Sequence, residues 1–354
     1  MKDSFYSGKQ ILVTGGTGMI GAPLVKLLRE RNAGVRVASL DEPVNLPQDV
    51  TFLQLDLTQE EACRQACRGM DYVFHLAGIK GGVGIGRSQA AKFFEGNALI
   101  NLQMLRAARE SGVQKYLFTS TIGVYPDVPL FKEDEVWDKP PHPSDWYGAW
   151  SKRFGELQCE AYREQYGFSS VIVRPANVYG PYDNFNPETA MVIPALIARA
   201  GRGENPLIVW GDGSPVRDFI YSEDCALGMV LALEKAGDSG PINLGSGVGV
   251  SIKEVAEAIS RYAPSKPKIQ WDTSKPAGNQ TRLMDVSKAR KVLGFTPRFT
   301  FEKGMEATMA WYRANPQHQA SRYSIFSSQE ASVKLAPGST RTKSEGDKKS
   351  GAAA

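Results

Sequence analysis

Histidine and cysteine are scarce in this chain, with three His and four Cys among 354 residues. Cys63, Cys67, Cys159 and Cys225 read as reduced thiols, not as a disulfide scaffold, because no secretory segment accompanies them. Cys63 and Cys67 stand four apart and share a helix face. With His75, His142 and His318 as the whole imidazole complement, no zinc-type constellation assembles by spacing, and no metal site is expected. Long apolar runs are missing too. None approaches the ~18 residues that would span a bilayer, and the polar stretch from Met1 to Gln10 has no signal core. A cytoplasmic protein with no membrane contact is expected. Charge of one sign is not in excess, since 42 Lys and Arg against 38 Asp and Glu leave +4. Residues 317–354 hold six of the basic and three of the acidic residues, so the rest of the chain is nearly neutral. That balance gives no support to a nucleic-acid-binding body, and no nucleic-acid partner is expected.

What is present is ordinary globular composition, 42% hydrophobic and 23% charged. Short β-branched runs (Gln10–Thr14, Val35–Leu40, Thr51–Leu55, Tyr72–Leu76, Tyr116–Thr119, Val171–Arg174) alternate with helical spacing, notably Ala22–Arg31, Asn97–Ser111 and Lys152–Tyr166. Alternation of this kind predicts an α/β fold, a Rossmann-like doubly wound parallel sheet. After Arg174 the rhythm breaks. A loop rich in Gly, Pro and aromatics (Pro175–Pro187) precedes a helix at Met191–Ala200, a short strand at Leu207–Trp210 and a second loop at Gly211–Arg217. Ser251–Tyr262 then reads as a helix, with Ser251 as N-cap and Glu254 completing a capping box. These features divide the chain into a dinucleotide-binding domain over residues 1–174, to which 217–245 returns. A smaller substrate-binding lobe covers 175–216 and 246–316. Residues 317–354 have no periodicity and read as a disordered tail, whose deletion is expected to leave folding intact.

The first strand runs into Gly15-x-x-Gly18-x-x-Gly21, which opens a helix. The first glycine permits the tight turn, the second lets backbone approach a pyrophosphate, and the third lets helix and strand pack closely. Gly15, Thr17, Gly18, Met19 and Ile20 then offer backbone to the phosphates at a helix N-terminus. Asp41 ends the second strand, 26 residues after Gly15. A carboxylate there accepts hydrogen bonds from both ribose hydroxyls and repels a 2′-phosphate, which favours NAD over NADP. Arg36, close by, softens that preference. Asp56 and Leu57 follow the third strand at the adenine end, and the backbone of Leu76, Ala77 and Gly78 follows the fourth.

At this point the residues resemble the extended short-chain dehydrogenase/reductase family, in particular its nucleotide-sugar epimerases, dehydratases and reductases, and most of all the GDP-sugar members. The likeness runs from about Gln10 to Asn315. It is carried by Leu76–Gly82, Pro175–Pro181, Asp183–Phe185, Val192–Pro194, Val209–Gly213 and Arg217–Ile220, and continues at Lys275, Pro276 and Asp285. The resemblance implies a phenol made acidic by a nearby lysine, plus a hydroxyl that bonds the reacting sugar oxygen while a dinucleotide carries the hydride. Thr121 takes the hydroxyl role and Lys152 the lysine role. Asn97 supports the hydrogen-bond network, and Pro175, Asn177 and Val178 complete the cofactor contacts. A homodimer through the two long helices is also implied.

The tyrosine departs from the family spacing. Tyr-x-x-x-Lys puts both side chains on one helix face, whereas Tyr147 and Lys152 have four residues between them and would point about 140° apart on a regular helix. Gly148 occupies the position four before Lys152. Two readings stay open: Tyr147 lies before the first helical turn and reaches the site through an irregularity, or another acid serves. A second departure concerns the epimerising cysteine and histidine of fucose synthase-like enzymes. They fall on Gly123 and Met191, neither of which carries a proton, and the Asp-Glu pair of the dehydratases is replaced by Ile122-Gly123. Glu133, Asp145 and Lys80 are the candidate substitutes.

On the substrate side, the resemblance assigns Arg217 to a diphosphate and Asn177 and Arg282 to phosphate or ribose. Val192 and Trp210 would wall the base, and Lys80 and Thr121 would face the sugar. The main expectation is an NAD-dependent nucleotide-sugar epimerase working by transient hydride transfer at C4, with a GDP-sugar substrate. An NADPH-dependent 4-keto-sugar reductase similar to GDP-L-fucose synthase is the first alternative. A catalytically silent dinucleotide-binding sensor is the second.

Overall fold

A computed structural model describes residues 5–43, 46–79, 88–186, 189–275 and 280–316. The first apolar run forms β1 (Gln10–Thr14), buried from Ile11 onward, and the glycine turn leads into α1 (Gly21–Glu30). The chain continues through β2 (Gly34–Ser39), β3 (Thr51–Gln54), α2 (Glu60–Cys67), β4 (Tyr72–His75), α3 (Ala90–Glu110), β5 (Lys115–Thr119), β6 (Leu130–Phe131), α4 (Trp146–Tyr166) and β7 (Ser170–Pro175). Then come β8 (Asn177–Tyr179), α5 (Val192–Gly201), β9 (Leu207–Trp210), β10 (Val216–Tyr221), α6 (Ser222–Lys235), β11 (Ile242–Leu244), β12 (Gly249–Ser251), α7 (Ile252–Tyr262), β13 (Ile269–Asp272), β14 (Thr281–Met284) and α8 (Phe301–Ala314).

Seven strands form one parallel sheet in the order β11-β7-β5-β4-β1-β2-β3. The doubly wound sheet expected from the alternation is therefore the one observed. Its strand order reverses between β1 and β4, where loops leave in opposite directions and open a crevice at the carboxyl ends of the strands. Two apolar clusters cover the sheet. One holds Leu24, Leu28 and Met229 from α1 and α6; the other holds Cys63, Met104 and Cys159 from α2, α3 and α4. Burial pushes the thiols of Cys63, Cys67 and Cys159 up to about 12, so they pack as small apolar groups.

The later strands β8, β10, β12 and β14, joined by the early β6, build a second, five-stranded sheet in the order β12-β10-β14-β6, with β8 on β10; β9 and β13 form a pair of their own. A third apolar cluster, with Ile197, Ile259 and Met309 from α5, α7 and α8, underlies this lobe. The capping box at the start of α7 is present, with the Glu254 N–H donating to Ser251 Oγ.

Three boundaries differ from the sequence expectation. α3 begins at Ala90, not Asn97, and the Pro175–Pro187 loop contains β8, which β10 recruits by parallel pairing at Asn177–Tyr179. α4 begins at Trp146, six residues before Lys152. Its aromatic first turn has modest helix propensity, but packing overrides that. Trp146 meets Trp150 edge-on at 5.8 Å, and the buried Arg153 guanidinium lies 5.1 Å from the Trp137 ring and 5.2 Å from the Trp150 ring. Residues 317–354 lie outside the described residues. Among the described residues, no helix is long and apolar enough to cross a membrane.

Candidate active site

The ends of β5, β4, β1 and β2 are neighbours in the sheet, and each delivers one part of the site. Gly15 turns the chain with φ +66°, and a Cβ on it would press to 3.2 Å from the Ala77 backbone. A Cβ on Gly21 would fall on the Gly15 carbonyl oxygen, so helix and strand could not close. The cradle thus fits a group that must meet backbone directly, as a dinucleotide pyrophosphate does.

Thr14 ties two of these strand ends together. Its hydroxyl accepts from the N–H groups of Leu76 (3.1 Å) and Ala77 (3.0 Å) and pairs with His75 Nδ1 at 2.9 Å. His75 is fully buried, also meets Asn101 at 3.3 Å, and burial with help from Lys152 lowers its pKa to about 3. It is a neutral core histidine. At the end of β2, Thr17 Oγ1 and Ser39 Oγ lie 2.9 Å apart, and the Asp41 N–H donates to Ser39 Oγ at 3.4 Å. Arg36 does not turn to this pocket. Its guanidinium donates to the carbonyls of Ala66 (3.1 Å) and Arg68 (2.8 Å) at the negative end of α2. Asp56 is occupied locally, accepting from Thr58 N at 3.0 Å and Thr58 Oγ1 at 2.8 Å.

Asn97, buried on α3, grips the backbone beyond Gly78. It accepts from Ile79 N at 3.0 Å and donates to Ile79 O at 3.2 Å. Across from it, Lys152 Nζ donates to Thr119 O at 2.9 Å and stands 3.6 Å from where a Gly78 Cβ would be. Thr121 follows β5 and caps a short 3-10 turn, accepting from Gly123 N at 3.2 Å. Ser120, Lys152 and Thr121 rest on a buried polar core. Ser120 Oγ donates to Glu156 at 2.5 Å, and Arg174 grips both Glu156 oxygens at 2.9 and 2.7 Å. Arg174 also donates to the Tyr125 hydroxyl at 3.1 Å, which in turn donates to Asn243 at 2.6 Å.

Tyr147 lies within the first turn of α4 and is 41% exposed. The reading in which it precedes the helix is therefore corrected: the helix is already formed at Trp146, and five residues of regular helix turn Tyr147 about 140° from Lys152. The Lys152 face carries Gly148 instead, where a Cβ would meet Phe93 Cε1 at 2.8 Å. Glu133 also turns away, accepting from Asn243 N at 2.9 Å in the core, and burial raises its pKa. Lys80 lies outside the described residues.

On the substrate side, β10 and β14 run parallel with Arg217 opposite Arg282. Arg282 Nη2 donates to Asp145 at 3.0 Å. Arg217 has its pKa lowered by burial and by Arg282, and Asp145 offsets this. Asn177 Nδ2 donates to Asp218 O at 2.9 Å, which fixes β8 against β10. Asp218, fully buried, holds the turn after Gly245 by accepting from Ser246 N (2.8 Å) and Gly247 N (3.0 Å). Trp210 is 62% exposed with Lys275 Nζ 5.9 Å from its ring, and Val192 is exposed at the start of α5. Thr14 and Ser39, the last residues of β1 and β2, were not among the residues singled out from the sequence. The available signal was a polar residue at or beside the end of an apolar strand.

Comparison with known proteins identifies the family and the fold. The model of the NAD dependent epimerase/dehydratase family matches residues 11–245. GDP-L-fucose synthase 1 of Arabidopsis thaliana is 32% identical over 315 residues, 86% of this chain and 94% of that protein. The chain is similar to a UDP-glucose 4-epimerase of Thermus thermophilus solved in complex with NAD, with TM-score 0.75 and 30% identity over 86% of this chain and 99% of the other. It is also similar to a GDP-L-fucose synthetase from Naegleria fowleri bound to NADP, with TM-score 0.74 and 25% identity over 88% and 96%.

Proposed function

The chain belongs to the NAD dependent epimerase/dehydratase family, and from that premise we propose that it reduces the ketone of a 4-keto nucleotide sugar, GDP-linked by preference. It acts as a nucleotide-sugar epimerase/reductase, and the relative named GDP-L-fucose synthase favours the reductase over the epimerase first expected. The observation that carries the reading is the placement of Lys152 beside Gly78 and Thr119, next to the Thr121 turn. A bound nicotinamide dinucleotide supplies the hydride. Thr121 offers its hydroxyl to the reacting sugar oxygen, Lys152 places a positive charge under that oxygen and the cofactor ribose, and Asn97 holds the loop after β4. Arg217 and Arg282 face the diphosphate as a guanidinium pair, matched to its bidentate oxygens. Asn177, Val192 and Trp210 complete the sugar and base wall. Tyr147 as proton donor would need the first turn of α4 to repack.

A C4 epimerase that retains NAD is the second reading, and Asp41 with the diverted Arg36 favours it, since Arg36 is turned away from a 2′-phosphate at the end of β2. Denaturing the purified protein and identifying the released dinucleotide separates the two. Stoichiometric NAD supports the epimerase, whereas an empty site that titrates with NADPH or NADH and then reduces a 4-keto sugar nucleotide supports the reductase. Binding of neither would refute the cofactor site. A homodimer belongs to the same proposal, because α3 and α4 present Phe94, Leu102, Phe154 and Leu157 to solvent. So does a cytoplasmic location, which suits four buried cysteines that form no disulfide.

A further inference from the structure

We propose that Arg153 is a positioning residue: it clamps the turn that begins at Thr121 and so sets the Thr121 hydroxyl against Lys152. The inference rests on the ketosugar reading above and adds to it the group that holds its hydroxyl in place.

The turn is loosely held by its own bonds. Val124 N reaches Thr121 O at 3.3 Å, Tyr125 N reaches Ile122 O at 3.3 Å, and Gly123 N reaches Thr121 Oγ1 at 3.2 Å. All three lie at the long end of the N–H···O range. α4 supplies firmer holds on either side of Thr121. Ahead of it, Lys152 donates to Thr119 O at 2.9 Å and Glu156 accepts from Ser120 Oγ at 2.5 Å. Behind it, Arg153 donates twice to Val124 O, from Nε at 2.9 Å and from Nη2 at 2.7 Å.

The same guanidinium closes a neck in the chain. Its Nη2 also donates to Lys139 O at 2.9 Å, so one group joins the end of the turn to the segment returning toward α4. His142 N adds a longer bond to Tyr125 O at 3.2 Å. Between Val124 and Lys139 lies β6, which pairs with β14, the strand that carries Arg282. Arg153 thereby ties the hydride side of the crevice to the sheet that bears the guanidinium pair.

Filling space does not account for a guanidinium here. Arg153 is 1% exposed, and Arg174 takes both oxygens of Glu156, one turn along α4. The partners of Arg153 are two carbonyls and the Trp137 and Trp150 rings. Burying a charge against carbonyls and rings is costly, and an apolar side chain would fill the same space without that cost. What the guanidinium adds is direction, because its planar fork fixes two backbone carbonyls relative to α4 at once.

The test is a double-mutant cycle in the full chain, with steady-state reduction of a GDP-linked 4-keto sugar by NADPH or NADH as the readout. Arg153→Met should lower kcat by about 10- to 100-fold through misplacement of Thr121, with KM changed by less than about threefold. In a Thr121→Val background the same substitution should cost less than about threefold in kcat, since the group it positions is already gone. Dinucleotide titration serves as the folding control, because Gly15, Ser39 and Ala77 belong to other strand ends. If the Met variant fails that control, Arg153→Lys, which keeps the charge but not the fork, carries the same comparison. An equal loss of kcat in the two backgrounds would overturn the positioning role while leaving the ketosugar reading intact. So would a loss confined to KM, or no loss at all. A wild type that reduces no ketosugar would overturn both.

Discussion

Asp41 and His75 both act through charge, one by carrying it and the other by lacking it. Asp41 follows β2 with its N–H on Ser39, at the place where an adenosine ribose would lie. Asp41→Ser removes a carboxylate that repels a 2′-phosphate, so NADPH affinity should rise about tenfold relative to NADH. Fluorescence titration with both dinucleotides checks this, and an unchanged ratio would place Asp41 outside the ribose pocket. His75 is buried and neutral, with its pKa lowered from 6.5 to about 3. A depressed pKa means that the stabilisation is complete above pH 6.5 and is lost as the pH falls toward 3. At about 1.4 kcal/mol per pH unit, roughly 2 kcal/mol should be gone by pH 5. Urea midpoints at pH 7 and pH 5 measure the loss, and His75→Gln should flatten the dependence.

At the scale of elements, α4 carries most of the chemistry, and carries it along one face. Lys152 and Glu156, four residues apart, follow one another along one face, Lys152 reaching Thr119 O and the buried Glu156 meeting Ser120 and Arg174, whereas Tyr147 stands on another. Lys152→Met is expected to lower kcat by about 100-fold or more. Tyr147→Phe should cost less than about tenfold, because its hydroxyl is turned away by the helix period. Equal losses in the two variants would mean that the first turn of α4 rearranges when substrate binds. Glu156→Ala would leave the Arg174 guanidinium buried without its carboxylate. Breaking a buried pair in this way costs about 3–5 kcal/mol, and denaturant unfolding should report a loss of that order.

For the whole molecule, the outward side of α3 and α4 is the place where a second copy would dock. Phe94, Leu102, Phe154 and Leu157 are exposed there, too many large apolar groups for a surface facing water alone. Phe154→Glu with Leu157→Glu should shift a dimer to monomer by sedimentation velocity. A wild type already monomeric at high concentration would refute the dimer. The same assembly logic runs inside the chain. The seven-stranded sheet supplies the Thr121, Lys152 and Gly15 side of the crevice, whereas the second sheet brings Arg217 and Arg282 to it from residues 65 apart.

Local order was legible from the sequence alone. The strand–glycine–helix opening, Asp41 and the βα alternation were readable because each depends on neighbours within a turn or a strand. The period of side chains along a helix also exposed the mismatch between Tyr147 and Lys152. Tertiary packing decided the rest. It extended α4 back to Trp146 through the contacts of Trp137, Trp150 and Arg153, and it drew β8 out of an apparent loop onto β10. It drew the Arg36 guanidinium onto the carbonyls at the end of α2, and it set Asp145 against both Arg282 and the Thr121 turn. These partners are distant in sequence, and the long-range folding that pairs them leaves no local periodicity to read.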